Sequence, residues 1–258
     1  MKLITVFSLL LVLIVSAVSA GSKPADDAFF DAVERGNVKS VERMLKKGVD
    51  INAKNESGRT AIHIAVISGN TDMLKLILSR NPDVNAQDDT IGTTPLALAA
   101  SRKYTDGVRL ILSHKPSLEK GTFTMPLSFI AMDSDDPEIL TLLCDTGMSL
   151  SATIDNYESA NNVTCLMYAI VTGRTGSVKF LLSRNADINF PDSNGDPAII
   201  WALYYDKTDI AKILIDSGKK INYRTTGSGA PKGALDLAER KGFDDIVNLI
   251  IKADGRPE

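Results

Sequence analysis

Residues 58–85, GRTAIHIAVISGNTDMLKLILSRNPDVN, carry two short helical patterns separated by a glycine turn and followed by an exit loop, and that arrangement limits what the chain can become. Gly58-Arg59-Thr60 signals a turn, after which Ile62, Ile64, Ala65 and Val66 give one apolar face over about two helical turns. Ser68-Gly69-Asn70 breaks the pattern. Thr71-Asp72 opens a second helix in the manner of an N-cap, and Met73, Leu74, Leu76, Ile77 and Leu78 make it apolar on more than one side. Two helices this short cannot cover that surface by themselves, so neighbouring copies must supply the cover.

The copies are present. Anchoring on the last apolar residue of the second helix, with a β-branched residue or Leu six positions later, picks out Leu45, Leu78, Leu112, Cys144, Leu182 and Ile215, and Ile251 continues the series without the second residue. Their separations are 33, 34, 32, 38, 33 and 36 residues. This brackets a helical repeat of about 33 residues and fits repeats of about 40 poorly. The run Gly92-Thr93-Thr94-Pro95-Leu96-Ala97-Leu98-Ala99-Ala100, the related Thr60-Ala61-Ile62-His63, the Gly36-Asn37 and Gly69-Asn70 turns, and the exits Asp50-Ile51-Asn52, Asp83-Val84-Asn85 and Asp187-Ile188-Asn189 resemble the ankyrin-repeat family. The resemblance implies an all-α solenoid of about seven helix-turn-helix units with hairpin-like loops. The units fall at about 25–57, 58–91, 92–123, 124–162, 163–194, 195–231 and 232–254, within one domain over residues 21–258. The fold hosts many unrelated roles, so the resemblance specifies architecture far more than function.

The N-terminus reads differently. Met1-Lys2, the apolar run from Leu3 to Val18 and the small residues ending Val18-Ser19-Ala20 make residues 1–20 a secretory signal peptide with cleavage expected after Ala20. The run stops at Gly21-Ser22-Lys23-Pro24, too short for a comfortable membrane span, and no Cys follows to take a lipid. The expected product is periplasmic or secreted, with no membrane insertion after cleavage. Its 29 Lys+Arg against 32 Asp+Glu give no basic bias, which argues against nucleic acid as a partner.

Several units depart from the pattern. The first lacks the Thr-Pro start and reads as an end cap, with Phe29, Phe30, Ala32 and Val33 in its first helix. The unit beginning Met125-Pro126-Leu127 fits only with about one extra residue near 134–137. Between Leu150 and Thr164 the chain carries SATIDNYESANNV, the longest tip, which reads either as a binding loop presenting Tyr157 or as a tolerated disordered insertion. The unit from Gly195 replaces Thr-Pro with Pro197-Ala198 and then places Trp201, Tyr204 and Tyr205 in one short segment.

By register with Ile64 and Ala65, Trp201 and Ala202 face the core, while Tyr204 and Tyr205 stand just before the inter-helix turn. The resemblance implies that these last positions line the concave face, where exposed aromatic side chains are favoured anchors for a partner. The same register adds Glu34 and Arg35, Ile67 and Ser68, Ser101 and Arg102, Met132 and Asp133, Val171 and Thr172, and Arg240 and Lys241. From this row Tyr204, Tyr205, Arg102, Met132, Ile67, Arg35 and Arg240 are candidate partner contacts, joined by Tyr157 from the long tip. The resemblance also brings Cys144 and Cys165 to the loop side of the stack. They read either as a disulfide or as two small buried hydrophobes, and their spacing excludes a CxxC pair or a four-ligand zinc site.

The inventory for catalysis is poor. His63 stands where the resemblance implies a structural imidazole hydrogen-bonding between loops, and His114 lies beside Lys115-Pro116 with no metal-spaced carboxylates nearby. No G-x-S-x-G elbow, G-x-x-x-x-G-K phosphate loop or H-E-x-x-H helix occurs. The expectation is a non-enzymatic protein, without cofactor and monomeric alone, that binds another protein. Similarity to exported bacterial ankyrin proteins implies an envelope enzyme as partner, with the solenoid acting as an inhibitor or immunity protein that caps, for example, a peptidoglycan endopeptidase. The alternatives are an accessory to catalase and peroxide resistance, or a haem or small-ligand handler using Tyr204, Tyr205 or Met132.

Overall fold

In the computed structural model, residues 24–221 and 233–253 are described, so the expected signal peptide lies outside the described residues. Fourteen helices stand among them as seven consecutive pairs: α1 (Pro24–Glu34) with α2 (Val38–Lys46), α3 (Ala61–Ile67) with α4 (Thr71–Leu78), α5 (Pro95–Ser101) with α6 (Thr105–Leu112), and α7 (Leu127–Ser134) with α8 (Pro137–Asp145). The series continues with α9 (Cys165–Val171) and α10 (Thr175–Ser183), α11 (Ala198–Tyr204) and α12 (Thr208–Asp216), and α13 (Ala234–Lys241) and α14 (Asp244–Ala253). Each first helix packs on the first helix of the next pair, and each second helix on the next second helix, which makes a two-layered solenoid.

The helices begin and end where local chemistry demands. Thr94 Oγ1 accepts the Ala97 amide at 3.3 Å, with Pro95 in the first helical turn, and Thr164 Oγ1 accepts the Met167 amide at 3.2 Å. Second helices are capped by Asn37, Asn70 and Asp136, whose side chains accept amides of Ser40, Met73 and Glu138. Between the two helices of every pair one residue turns left-handed: Gly36, Gly69, Lys103, Asp135, Gly173, Asp206 or Gly242. From the second pair onward this residue lies nine positions after the cap of the first helix, at Thr60, Thr94, Pro126, Thr164, Pro197 and Gly233.

Polar cross-links join neighbouring units on the loop side. Buried His63 accepts the Thr60 amide at Nδ1, 3.2 Å away, and donates from Nε2 to the Thr93 carbonyl at 3.0 Å, so the neutral ring bridges two loops. Asn52 and Asn85 accept the amides of Asp83 and Ser117, one unit further on, at 2.8 and 2.7 Å. Asn189 donates to the Lys220 carbonyl at 2.8 Å. Glu119 and Ser151 take the equivalent places in the middle of the array.

The long tip folds back on itself. Strands β1 (Thr153–Ile154) and β2 (Val163–Thr164) pair antiparallel at its base, and Tyr157 and Ala160 exchange both backbone hydrogen bonds at its end, at 3.0 and 2.9 Å.

Burial holds the His63 imidazole below its ordinary value, against the pull of the Thr93 bond and the Asp88 charge. A depressed histidine pKa means that the unfolded chain takes up the proton first, so its contribution is complete above about pH 6.5 and wanes in acid. We expect His63→Ala to lower the unfolding free energy by about 2 kcal/mol in urea titrations at pH 7.5. The advantage of the wild type over the variant should shrink between pH 7.5 and about 5.

Candidate protein-binding surface

The left-handed turn residues set the register of the concave row, which occupies the two positions before each of them. In the fourth unit Asp135, with φ of 50°, matches Gly69 at 63° and Asp206 at 58°. The row there is therefore Asp133 and Ser134. Pro126 stands at the helix cap, where the other units place Thr60 and Thr94, and not at the Pro95 position that Met125-Pro126-Leu127 suggests. No extra residue sits near 134–137, because the cap-to-turn distance is the same nine residues as elsewhere. Met132 thereby moves one place inward to the position of Val66 and Ala100. It is fully buried and is neither a partner contact nor a haem ligand candidate.

The aromatic segment of α11 divides by depth. Trp201 is buried, and its Nε1 donates to Asp192 Oδ2 at 3.1 Å. Asp192 is itself buried and uses Oδ1 to hold the amides of Asn194 and Asp196 at 2.8 and 2.9 Å, so one carboxylate shapes the preceding loop and fixes the indole. Tyr205 is half-buried and stacks on Trp201 with centroids 5.6 Å apart. Tyr204 is 62% exposed and meets Tyr205 edge-on at 5.1 Å. Lys241 Nζ lies 5.6 Å from the Tyr204 ring centroid and 5.9 Å from that of Phe243. It donates to the Tyr204 carbonyl and to Asp206 Oδ1, both at 2.6 Å. A pinned cation against an exposed ring gives an amphipathic spot of the kind that anchors a protein partner.

The remaining expected contacts are more committed to this chain than their sequence positions suggest. Arg35 pairs with Asp31 at 2.9 Å and Arg240 with Asp236 at 2.9 Å, each with a residue four positions earlier in its own unit. Arg102 donates from Nη2 to the Ile67 carbonyl at 3.0 Å, closing the last turn of α3, and Ile67 is half-buried. Tyr157 does not point outward from the long tip. It is half-buried with its ring 5.4 Å from that of Tyr168, and burial, followed by the charges of Glu158 and Asp133, pushes its phenol up to about 12. Beneath it Tyr168 donates to Asp133 Oδ2 at 2.9 Å, and Arg174 pairs with Asp133 at 3.5 Å.

Cys144 and Cys165 are free thiols rather than a disulfide. Cys165 is buried, which pushes its thiol up to about 11, and Cys144 is half-buried. No group of three or more His, Cys, Asp and Glu able to hold a metal occurs among the described residues, nor is any helix there long and apolar enough to cross a membrane. Lys241 as a ring-flanking cation and Glu158 as the hydrogen-bond partner of Tyr205, 3.4 Å away, were missed as site residues. The only signal for Lys241 was its place beside Arg240 in the row, and none existed for Glu158. A second exposed apolar spot joins Ile91 and Phe123 on adjacent loop tips, where the Phe123 amide donates to the Ile91 carbonyl at 2.9 Å.

Paired helices stacked in register, closed by loop-bridging imidazole and asparagine side chains, define an ankyrin solenoid. The family profile "Ankyrin repeats (3 copies)" matches residues 29–122 and 127–225, and the chain belongs to the ankyrin-repeat family. It is 33% identical over 142 residues to an ankyrin repeat protein of fowlpox virus (strain NVSL), across 54% of this chain but only 20% of that one. It is 30% identical over 126 residues to protein phosphatase 1 regulatory subunit 27 of Mus musculus, across 48% of this chain and 81% of that one. The crystal structure of the human ASB11 ankyrin repeat domain superposes with a TM-score of 0.70 at 20% identity, over 92% of this chain and 100% of that one, a likeness of fold alone. Ankyrin repeats bind other proteins, and proteins built from them are generally interaction modules rather than enzymes.

The packing of the two tyrosines separates their roles in stability. Tyr204→Ala should leave the melting temperature within about 1 °C of wild type, because an exposed ring contributes little. Tyr205→Ala removes the stack on Trp201 and should cost about 1–2 kcal/mol, read by thermal denaturation followed through the single Trp. Asp196 offers a charge test. Its half-buried carboxyl is pushed up to about 6 by burial and then by Asp192, and its buried Oδ1 has no hydrogen-bond partner. A raised carboxyl pKa favours the fold when protonated and burdens it once ionised. Asp196→Asn should therefore stabilise by about 1 kcal/mol at pH 7.5, allowing for solvent screening, and lose that gain as the pH falls towards about 4.

Proposed function

We propose that this protein is a non-catalytic binding module of the cell envelope that docks on a partner enzyme through the Tyr204–Lys241 end of its concave face and inhibits that enzyme by capping it. The exposure of Tyr204 carries the reading: a large aromatic ring, 62% open to solvent on an otherwise committed row, is what a docked partner would desolvate. The surrounding row mixes apolar and charged side chains, which suits a protein surface better than a polyanion. Export rests on the signal-like residues 1–20. A peptidoglycan hydrolase made by the same cell is the partner class we favour, since a rigid curved body can occlude an active site without chemistry of its own. The mouse relative is a regulatory subunit of a phosphatase by name, which supports the idea that such a module can control an enzyme.

The test is an affinity capture from the envelope fraction of the source cell with mature wild-type protein and Tyr204→Ala in parallel, followed by assay of the captured enzyme. A cell-wall hydrolase should appear in the wild-type lane and be inhibited by added protein. Tyr204→Ala should weaken that inhibition by about 2 kcal/mol, roughly 30-fold in the inhibition constant. A captured enzyme that the protein leaves fully active, or equal inhibition by the variant, would remove this reading.

A further inference from the structure

The insertion of residues 151–163 folds back onto Tyr168 of α9 and reaches Tyr205 of α11. Its end is a two-residue turn at Glu158 and Ser159, both left-handed with φ of 50° and 67°, closed by the paired bonds of Tyr157 and Ala160. Such a turn is the natural place for Asn-Gly, and neither Glu nor Ser adopts it readily. Asn156 and Asn162 add two more left-handed residues within the same loop. The loop ties itself together through Asn161 Oδ1, which accepts the Asn156 amide at 2.9 Å, and Asp155 Oδ1, which accepts the Asn162 amide at 3.0 Å.

Its grip on the body is short. The Tyr157 ring lies on Tyr168 of α9. Asn161 and Ser193 exchange two hydrogen bonds of 2.9 and 3.0 Å, and the Tyr205 hydroxyl of α11 donates to Glu158 Oε2 at 3.4 Å. A backbone in unfavourable torsions persists only while its contacts over-determine it, here the Tyr157 ring, buried Ala160 and these hydrogen bonds, so loss of one contact lets the strain favour release. We propose that residues 155–162 are a strap, latched by Glu158 to Tyr205, which covers the concave face between α9 and α11 and swings away to bare Tyr168 and Tyr205 beside Tyr204. The charges and hydroxyls facing the latch support this reading: besides burial, the Glu158 carboxylate raises the Tyr205 phenol above its ordinary value, so the two groups share one electrostatic environment. The strap is a property of the free protein, and its test needs no partner.

Amide hydrogen exchange on the mature chain reads the strap directly. Tyr205→Phe keeps the ring stack on Trp201 and removes only the latch hydroxyl, while Glu158→Ala removes its acceptor. Each should speed exchange of residues 155–162 by about fivefold to tenfold without changing exchange in α3 to α6. Ser159→Gly relaxes the turn and should slow exchange in the same segment. Hydroxyl-radical labelling of Tyr168 should rise in Glu158→Ala. The proposal is overturned if Tyr205→Phe and Glu158→Ala leave exchange at 155–162 unchanged, if exchange rises equally in every repeat, or if Tyr168 labelling stays constant while the loop exchanges faster.

Discussion

The first helices are apolar nearly all round, and the need to cover them governs the rest of this protein. Six of the seven residues of α3 are buried, and all seven of α9. A helix of two turns gains too little from its own hydrogen bonds to persist in water, so its stability comes from the helices before, behind and beside it. That requirement fixes the distance from cap to turn, because a residue added inside a first helix would rotate the apolar surface off both neighbours. It also leaves only the last one or two positions of each first helix free to vary. The concave face is thus a narrow strip whose composition varies from unit to unit, and where a position such as Tyr204 stays exposed it can carry recognition.

Polar side chains solve a second problem that apolar stacking leaves behind, the backbone groups of the loops between units. The solution differs along the array. Between the second and third units His63 supplies it, with Thr60 and the Thr93 carbonyl on either side. Between the fourth and fifth, where Phe129 takes the place of that histidine, the work passes to the helix ends: Asp135 Oδ1 accepts the Ser177 amide at 2.7 Å, Ser177 Oγ donates to the Met132 carbonyl at 2.9 Å, and Asp133 receives Tyr168. In the sixth unit Asp192 gathers two amides and the Trp201 indole. Imidazole and indole-bound carboxylate thus hold loop backbone, whereas the Asp133 and Asp135 carboxylates hold groups at the other ends of the helices.

This layering explains which features were legible in the sequence. The anchors from Leu45 to Ile251 could be read because each lies nine residues after its left-handed turn residue, so the second helices alone hold the period. The depth of Trp201 was readable for the same reason, as it shares the register of Ile64. Met132 was misplaced because Pro126 resembles the proline of a Thr-Pro start while standing at the cap, and a one-residue shift on a helix moves a side chain by about 100°. The inward turn of Tyr157 was hidden for a different reason. It depends on four left-handed torsions and on Tyr168 and Tyr205, contacts between parts of the chain that no local pattern links.

The insertion also changes what kind of object the solenoid is. Most cross-links elsewhere join one unit to the next: Thr71 and Tyr104 are separated by 33 positions, Lys54 and Asp89 by 35, Lys241 and Asp206 by 35, and Met132 and Ser177, across the insertion, by 45. A stack built only from such links behaves as a chain of nearest neighbours, in which a disturbance in one unit decays along the array. Glu158 and Tyr205 are 47 positions apart, and Tyr157 meanwhile sits on Tyr168 in the intervening unit. One loop therefore touches two successive first helices, α9 at its middle and α11 at its concave end. Side-chain contacts therefore run from Tyr205 in the sixth unit through Glu158 and Tyr157 to Tyr168 in the fifth and Asp133 in the fourth, a connection across three repeats that stacking alone does not supply.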